Sequence, residues 1–237
     1  MLRQIFATAI LAGALAGLFV SALQGGRLIP LIHEAEVFED AGHGAGLAGH
    51  DHGAATGQDD ESGAAGADTG DEGWMPREGF ERVGLTVIAN ILAATGFALL
   101  LAACFALKGD IDAKRGVIWG LAGFAVFHLA PAIGLPPEPP GGQAAPLHDR
   151  QMWWLLTAAA TAGGLALIAF ARGYLAKAAG LALIVLPHAL GAPAPLGPPA
   201  APAELAVTFA IASLATAAAF WAFLGGLSGY LFRRFAP

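Results

Sequence analysis

The chain has 237 residues, of which 56% are hydrophobic and only 13% are charged, and its mean hydropathy is +0.62. Soluble domains usually carry about 25% charged residues, so this composition argues against a soluble globular protein. Apolar runs of about 20 residues recur along the chain and indicate a polytopic helical membrane protein. The formal charge of −6 excludes a basic nucleic-acid surface, and the single cysteine, Cys104, excludes an internal disulfide or a cysteine-based zinc site.

Six apolar runs predict six transmembrane helices in one all-α bundle, with no separate soluble domain. The runs cover residues 5–29, 84–107, 116–135, 152–170, 174–190 and 205–232. The first run also resembles a signal peptide, since Val20-Ser21-Ala22 is similar to a cleavage site, but apolar sequence resumes at 28–32 and favours a retained helix. Gly13 and Gly17 form a small-xxx-small pair that permits close helix packing.

The lysines and arginines near the ends of the runs predict the orientation. With six spans, one side of the membrane carries Arg3, Lys108, Lys114, Arg115, Arg172, Arg233 and Arg234. Cytoplasmic loops are enriched in Lys and Arg, so we expect both termini to be cytoplasmic in a bacterial inner membrane. The two Pro-rich loops, 136–150 and 191–202, then face outward.

A polar tract from His33 to His52 follows the first run, on the same outer side. Residues 40–73 are mainly Gly, Ala, Asp and His, which bury too little apolar surface to offset the entropy of ordering. We therefore predict a disordered periplasmic loop over 40–73. All seven histidines fall on the outer side in this topology. We predict that five outer residues form an auxiliary collector of cations: His43, His50, Asp51, His52 and His148. The alternative for the histidines of the tract is a solvated tail that binds metal only weakly.

Two histidines are predicted inside helices. His128 lies seven residues before the end of its run, hence about 10 Å into the membrane at ~1.5 Å per residue. An ionisable residue at that depth is costly and is a functional candidate, and the alternative is a neutral imidazole hydrogen-bonded to a neighbouring helix. His188 lies closer to the interface, where an ordinary interfacial histidine is the alternative. Asn90 offers either a ligand oxygen or a hydrogen bond between helices.

His33 lies beside Glu34 and Glu36, where the first helix leaves the membrane, and the three predict a metal site at the outer surface. Imidazole and carboxylate together suit a borderline divalent cation. The chain contains no GxxxxGK[ST], HExxH or GxSxG motif, so the sequence predicts no enzyme of those classes.

Several stretches, in this order, resemble the CbtA family of predicted cobalt transporter membrane subunits. They are LIHEAEV (31–37), WMP (74–76), WGLAGF (119–124), LAPAIGLPPE (129–138), RQMWW (150–154), LPHALGAP (186–193) and APAEL (201–205). The resemblance spans nearly the whole chain. It implies cobalt uptake linked to cobalamin synthesis, and a small single-span partner, CbtB, with a His-bearing tail. Family members differ in the first outer loop.

The resulting hypothesis is that the bundle admits Co²⁺ from outside as cargo and holds no resident cofactor. The predicted metal residues are His33, Glu34, Glu36, His128, Glu138, His188 and Glu204, with imidazoles replacing water and carboxylates balancing charge. Imidazole binds metal in its neutral form, so uptake should weaken below about pH 6.5. A Ni²⁺ transporter of the same build and a non-transporting metal-binding or sensor subunit are the alternatives. A homo-oligomer is also left open.

Overall fold

The computed structural model describes residues 1–47 and 79–236, which form helices joined by short loops, with no strand in these ranges. The elements are α1 (Leu2–Leu47), α2 (Phe80–Lys108), α3 (Ala113–Phe124), a π-helical turn (Ala125–Leu129), α4 (Ala130–Gly134), α5 (Leu147–Phe170), α6 (Tyr174–Leu190) and α7 (Ala203–Arg234). The π turn joins α3 to α4, so the three elements make one continuous span. The predicted all-α bundle is confirmed.

Five helical stretches in the described part of the chain are long and apolar enough to cross a membrane, and α6 is a shorter apolar helix of 17 residues. At 1.5 Å per residue, α6 is about 26 Å long, slightly less than the ~30 Å hydrocarbon core. Each of the six predicted runs therefore corresponds to a helix. The helix of the last run, α7, extends beyond the run at both ends.

The first helix differs most from its predicted bounds, because α1 continues through Pro30 to Leu47 instead of ending at residue 29. Its extension has a packing partner: Ala35 is fully buried against Ala201 and Leu205, at the start of α7. Residues 40–47, which we expected to be disordered, belong to α1, and residues 48–73 of the predicted loop lie outside the described ranges.

Glycine allows the backbones of α3 and α7 to touch. A Cβ atom on Gly116 would collide with the carbonyl oxygen of Gly225, and one on Gly120 would collide with that of Trp221. In lipid the hydrophobic effect does little to drive helices together, and close packing of their backbones stabilises the association instead. The predicted small-residue pair behaves in the same way, because added Cβ atoms on Gly13 and Gly17 would meet the backbone of α2.

The helices contact one another in a simple pattern. α1 packs against α2 and α7, α3 packs against α7, and α5 pairs with α6. Trp221 on α7 is 1% exposed at the centre of the bundle, with its ring 4.7 Å from that of Phe97 and stacked 5.6 Å from that of Phe127. The α5–α6 pair joins the other helices mainly through the π turn and α4.

Contacts between distant residues define two ends of the bundle. At the end we call inner, Gln4 Nε2 donates to the carbonyl of Phe232 at 2.6 Å, and Lys108 Nζ lies 4.9 Å from the ring centroid of Phe170. At the opposite, outer end, the N–H of Leu196 donates to the carbonyl of Gln143 at 2.9 Å and joins the two Pro-rich loops. Both termini of the described chain therefore lie at the inner end, together with the cations used above to predict orientation.

Candidate metal-binding site

The outer end of α1 carries a histidine–carboxylate pair. His33 Nδ1 lies 2.9 Å from Glu36 Oε2, one helical turn away, and the two side chains are 65% and 37% exposed. A carboxylate has no proton to give, so Nδ1 donates and the neutral ring keeps its lone pair on Nε2. Histidines that bind metals usually donate their second ring N–H to a carboxylate in this way. His33 is therefore prepared to bind a cation through Nε2.

The docked extension of α1 also brings other carboxylates to this end. Ala35, which separates Glu34 from Glu36, packs against Leu205, the residue after Glu204. Glu34 and Glu204 are both exposed. The acidic side chains of two helices far apart in sequence thus lie at the same end of the bundle.

Glu138 borders two neighbouring cavities in the Pro-rich loops. The larger cavity has a volume of about 790 Å³ and is also lined by Arg150 and Gln151. The smaller has a volume of about 280 Å³ and is also lined by Ala201 and Ala206, near the start of α7. An ion with six waters needs roughly 180 Å³ at ~30 Å³ per water. The larger cavity is therefore wide enough for a hydrated divalent ion, with one carboxylate at its edge.

His128 is held in a different way from His33. It lies in the π turn, where the N–H of Ala130 bonds to the carbonyl of Ala125, five residues earlier. The indole N–H of Trp221 donates to His128 Nδ1 at 3.1 Å, so the neutral ring carries its proton on Nε2. Its lone pair is already used, which is the helix–helix hydrogen bond anticipated as the alternative to metal binding.

His188 has a neighbour at each ring nitrogen. Nδ1 lies 3.0 Å from the carbonyl oxygen of Ile184, and Nε2 lies 3.0 Å from that of Ala130. The ring also packs edge-on against Trp153, with centroids 5.9 Å apart. An ion bound to His188 would have to displace one of these carbonyl contacts.

The predicted residues thus separate into an outer group, most of which is exposed, and two half-buried histidines, His128 and His188. Within residues 1–47 and 79–236, no three His, Cys, Asp or Glu side chains meet closely enough to enclose a metal ion. Of the auxiliary collector, His148 is exposed in the first turn of α5, His43 lies in α1 without a described side chain, and His50, Asp51 and His52 lie outside the described ranges.

Sequence reasoning missed the main partners of the two half-buried histidines. Trp221 was not singled out, although a buried indole N–H usually needs an acceptor and His128 was a candidate. Asn90 was identified, and its side-chain nitrogen donates to Ser21 Oγ at 3.0 Å and to Gln24 Oε1 at 2.7 Å. That bonding between α1 and α2 confirms the helix-pairing role suggested for Asn90.

The fold is that of a polytopic helical membrane protein, and its outer end carries exposed histidine and carboxylate side chains. Residues 2–233 match the family described as CbtA, probable cobalt transporter subunit. The chain belongs to this family, which confirms the resemblance found in the sequence. No curated protein and no solved structure matched the chain.

Proposed function

We propose that this chain is the membrane subunit of a Co²⁺ uptake transporter linked to cobalamin synthesis. The ion would first bind at an outer mouth and then pass inward through the helix bundle. We define the outer mouth as His33, Glu34, Glu36, Glu138 and Glu204. The observation that carries the proposal is the His33–Glu36 pair, which leaves a ring lone pair facing solvent. The family assignment supplies the metal, because oxygen and nitrogen donors alone accept both cobalt and nickel.

His128 and His188 would act after the mouth. Before binding the ion, His128 must give up the hydrogen bond from Trp221, and the unprotonated ring nitrogen of His188 must move away from the carbonyl oxygen that it faces. The imidazoles would then serve as successive sites inside the bundle. Inward movement of a divalent ion down the membrane potential is favourable by about 4.6 kcal/mol per 100 mV, so no nucleotide-binding domain is required for energy.

The excess of Lys and Arg at the inner end supports a cytoplasmic location for that end and a bacterial inner membrane for the protein. The family is described as a subunit, which supports an association with a second chain. By the resemblance, that partner would be a small single-span CbtB-like protein with a His-bearing tail. A transporter role also accounts for the absence of an enzyme motif in the sequence.

The test is ⁵⁷Co²⁺ accumulation by purified chain reconstituted in vesicles, alone and with the CbtB-like protein. We expect cobalt inside the vesicles, faster uptake with an inside-negative potential, and weaker competition by Ni²⁺ than by unlabelled Co²⁺. Cobalt bound only to the vesicle surface would instead identify a sensor or binding subunit. Stronger competition by Ni²⁺ would assign the chain to nickel.

A further inference from the structure

A third cavity, unrelated to the outer mouth, lies at the inner end between the start of α3 and the last turn of α7. Its volume is about 600 Å³. It is lined by Asp112, Ala113, Lys114, Tyr230, Arg233 and Arg234. Three of these six residues are cationic, so the cavity has a positive charge that the metal route does not explain.

The one acidic residue does not cancel this charge. Asp112 Oδ1 accepts the backbone N–H of Arg115 at 2.8 Å and caps α3. This hydrogen bond holds the pKa of Asp112 below its usual value, and the positive charges of Arg115, Arg233 and Lys114 lower it further. The carboxylate of Asp112 is thus already hydrogen-bonded, and its lowered pKa reflects the positive charges around it.

Neighbouring cations at the same end are arranged differently. Arg115 pairs with Asp110, with Nη1 and Oδ2 2.9 Å apart, and Lys108 lies over the ring of Phe170. The two ion pairs among the described residues are this one and His33–Glu36. Lys114, Arg233 and Arg234 therefore face their cavity without a carboxylate partner in the described part of the chain.

We propose that this cavity binds the phosphate group of an anionic membrane lipid. Guanidinium and ammonium groups are the usual phosphate ligands, and the hydroxyl of Tyr230, a residue 56% exposed, adds a donor. Ala113 and Arg234 are the first and last residues of two candidate membrane spans, so the cavity lies at headgroup depth. Basic pockets between helices at the cytoplasmic surface are suited to anionic headgroups.

A lipid explains this arrangement better than a soluble phosphate compound, because the cavity lies where two candidate membrane spans, Ala113–Gly134 and Ala203–Arg234, begin and end. The site would anchor the ends of α3 and α7, which meet through glycine contacts one and two turns away. The site goes beyond metal transport, since its residues include neither a member of the outer mouth nor His128 or His188.

The experiment uses the full chain in a neutral detergent, titrated separately with phosphatidylglycerol, phosphatidylcholine and inorganic phosphate, with bound lipid counted by native mass spectrometry. The test variant is Arg233→Gln/Arg234→Gln. The matched control is Arg172→Gln/Lys177→Gln, which removes two cations from the same end but outside the cavity. The Tm of each protein without lipid reports folding, and Lys114→Gln provides a milder change if the double variant does not fold.

We expect phosphatidylglycerol to bind more tightly than phosphatidylcholine. The cavity double variant should weaken phosphatidylglycerol binding roughly tenfold or more, Lys114→Gln should weaken it several-fold, and the control should leave it unchanged. Equal weakening in the control would overturn the proposal in favour of diffuse surface charge. Inorganic phosphate that displaces the lipid at similar concentration would overturn it in favour of a soluble anion.

Discussion

His33 and His128 have the same side chain but opposite arrangements of proton and lone pair. Glu36 accepts from Nδ1 of His33, so that the lone pair of Nε2 faces solvent, whereas Trp221 donates to Nδ1 of His128 and uses its lone pair. His128 looked more significant in the sequence because an ionisable group deep in a membrane is costly. The comparison teaches that a free lone pair, and not depth, is what first qualifies a histidine to receive an ion.

The largest effect should come from breaking the packing that holds Trp221 against His128. Gly120→Val would place side-chain atoms against the carbonyl of Trp221, and overpacking of this kind costs of order 3 kcal/mol. We expect little folded protein, measured by size-exclusion chromatography in detergent. Gly96→Val is the matched control, because nothing lies within 4 Å of its added Cβ atom. Equal folded yields for the two variants would contradict the tight contact between α3 and α7.

A pair of variants separates the two roles of His128. His128→Ala and Trp221→Phe both delete the same hydrogen bond, and each should lose about 0.6 kcal/mol for it in a membrane. If His128 later binds the ion, only His128→Ala should reduce ⁵⁷Co²⁺ uptake, by at least about tenfold, since even a second-shell partner accounts for 10–100-fold. Uptake near the original level in His128→Ala, at normal protein abundance, would remove His128 from the route.

The outer histidine should affect the concentration dependence of uptake more than the maximal rate. His33→Ala is expected to raise the half-saturating Co²⁺ concentration about tenfold, and Glu36→Gln only a few-fold, because an amide oxygen still accepts the Nδ1 proton. Glu81→Gln removes one exposed carboxylate near the start of α2 that does not belong to the outer mouth, and serves as the control. A reduced maximal rate with unchanged half-saturation would argue against a collecting role.

The smallest effect should appear at the inner end, where Asp112 caps α3. Its folded pKa is depressed, so its contribution to stability is present above the ordinary carboxyl pKa and is lost as pH falls through the folded pKa. We therefore expect Asp112→Asn to lower Tm slightly at pH 7 and by less near pH 3. A Tm difference that does not change between these two pH values would contradict the depressed pKa.

The sequence by itself determined the class of protein and most of the helices. Apolar runs near the thickness of a bilayer must satisfy their backbone hydrogen bonds internally, so helices follow from composition and length alone. Gly13 and Gly17 could also be identified as contact residues, because their spacing along a helix is local information. The continuation of α1 through Pro30 was not predictable, because its stability depends on Ala35 meeting Ala201 and Leu205, distant residues in the chain.

Only the tertiary structure decided which histidine nitrogens are free. The proton on an imidazole is assigned by its neighbours, and these come from residues far apart: His128 and Trp221 are 93 positions apart, and His188 and Ala130 are 58 apart. His33, Glu34 and Glu36 were identified together because they are neighbours in the sequence, but the bond between His33 and Glu36 depends on the unpredicted continuation of α1. Closeness in the sequence therefore grouped the exposed outer residues, while the long-range contacts of the fold determined the neighbours of the two half-buried histidines.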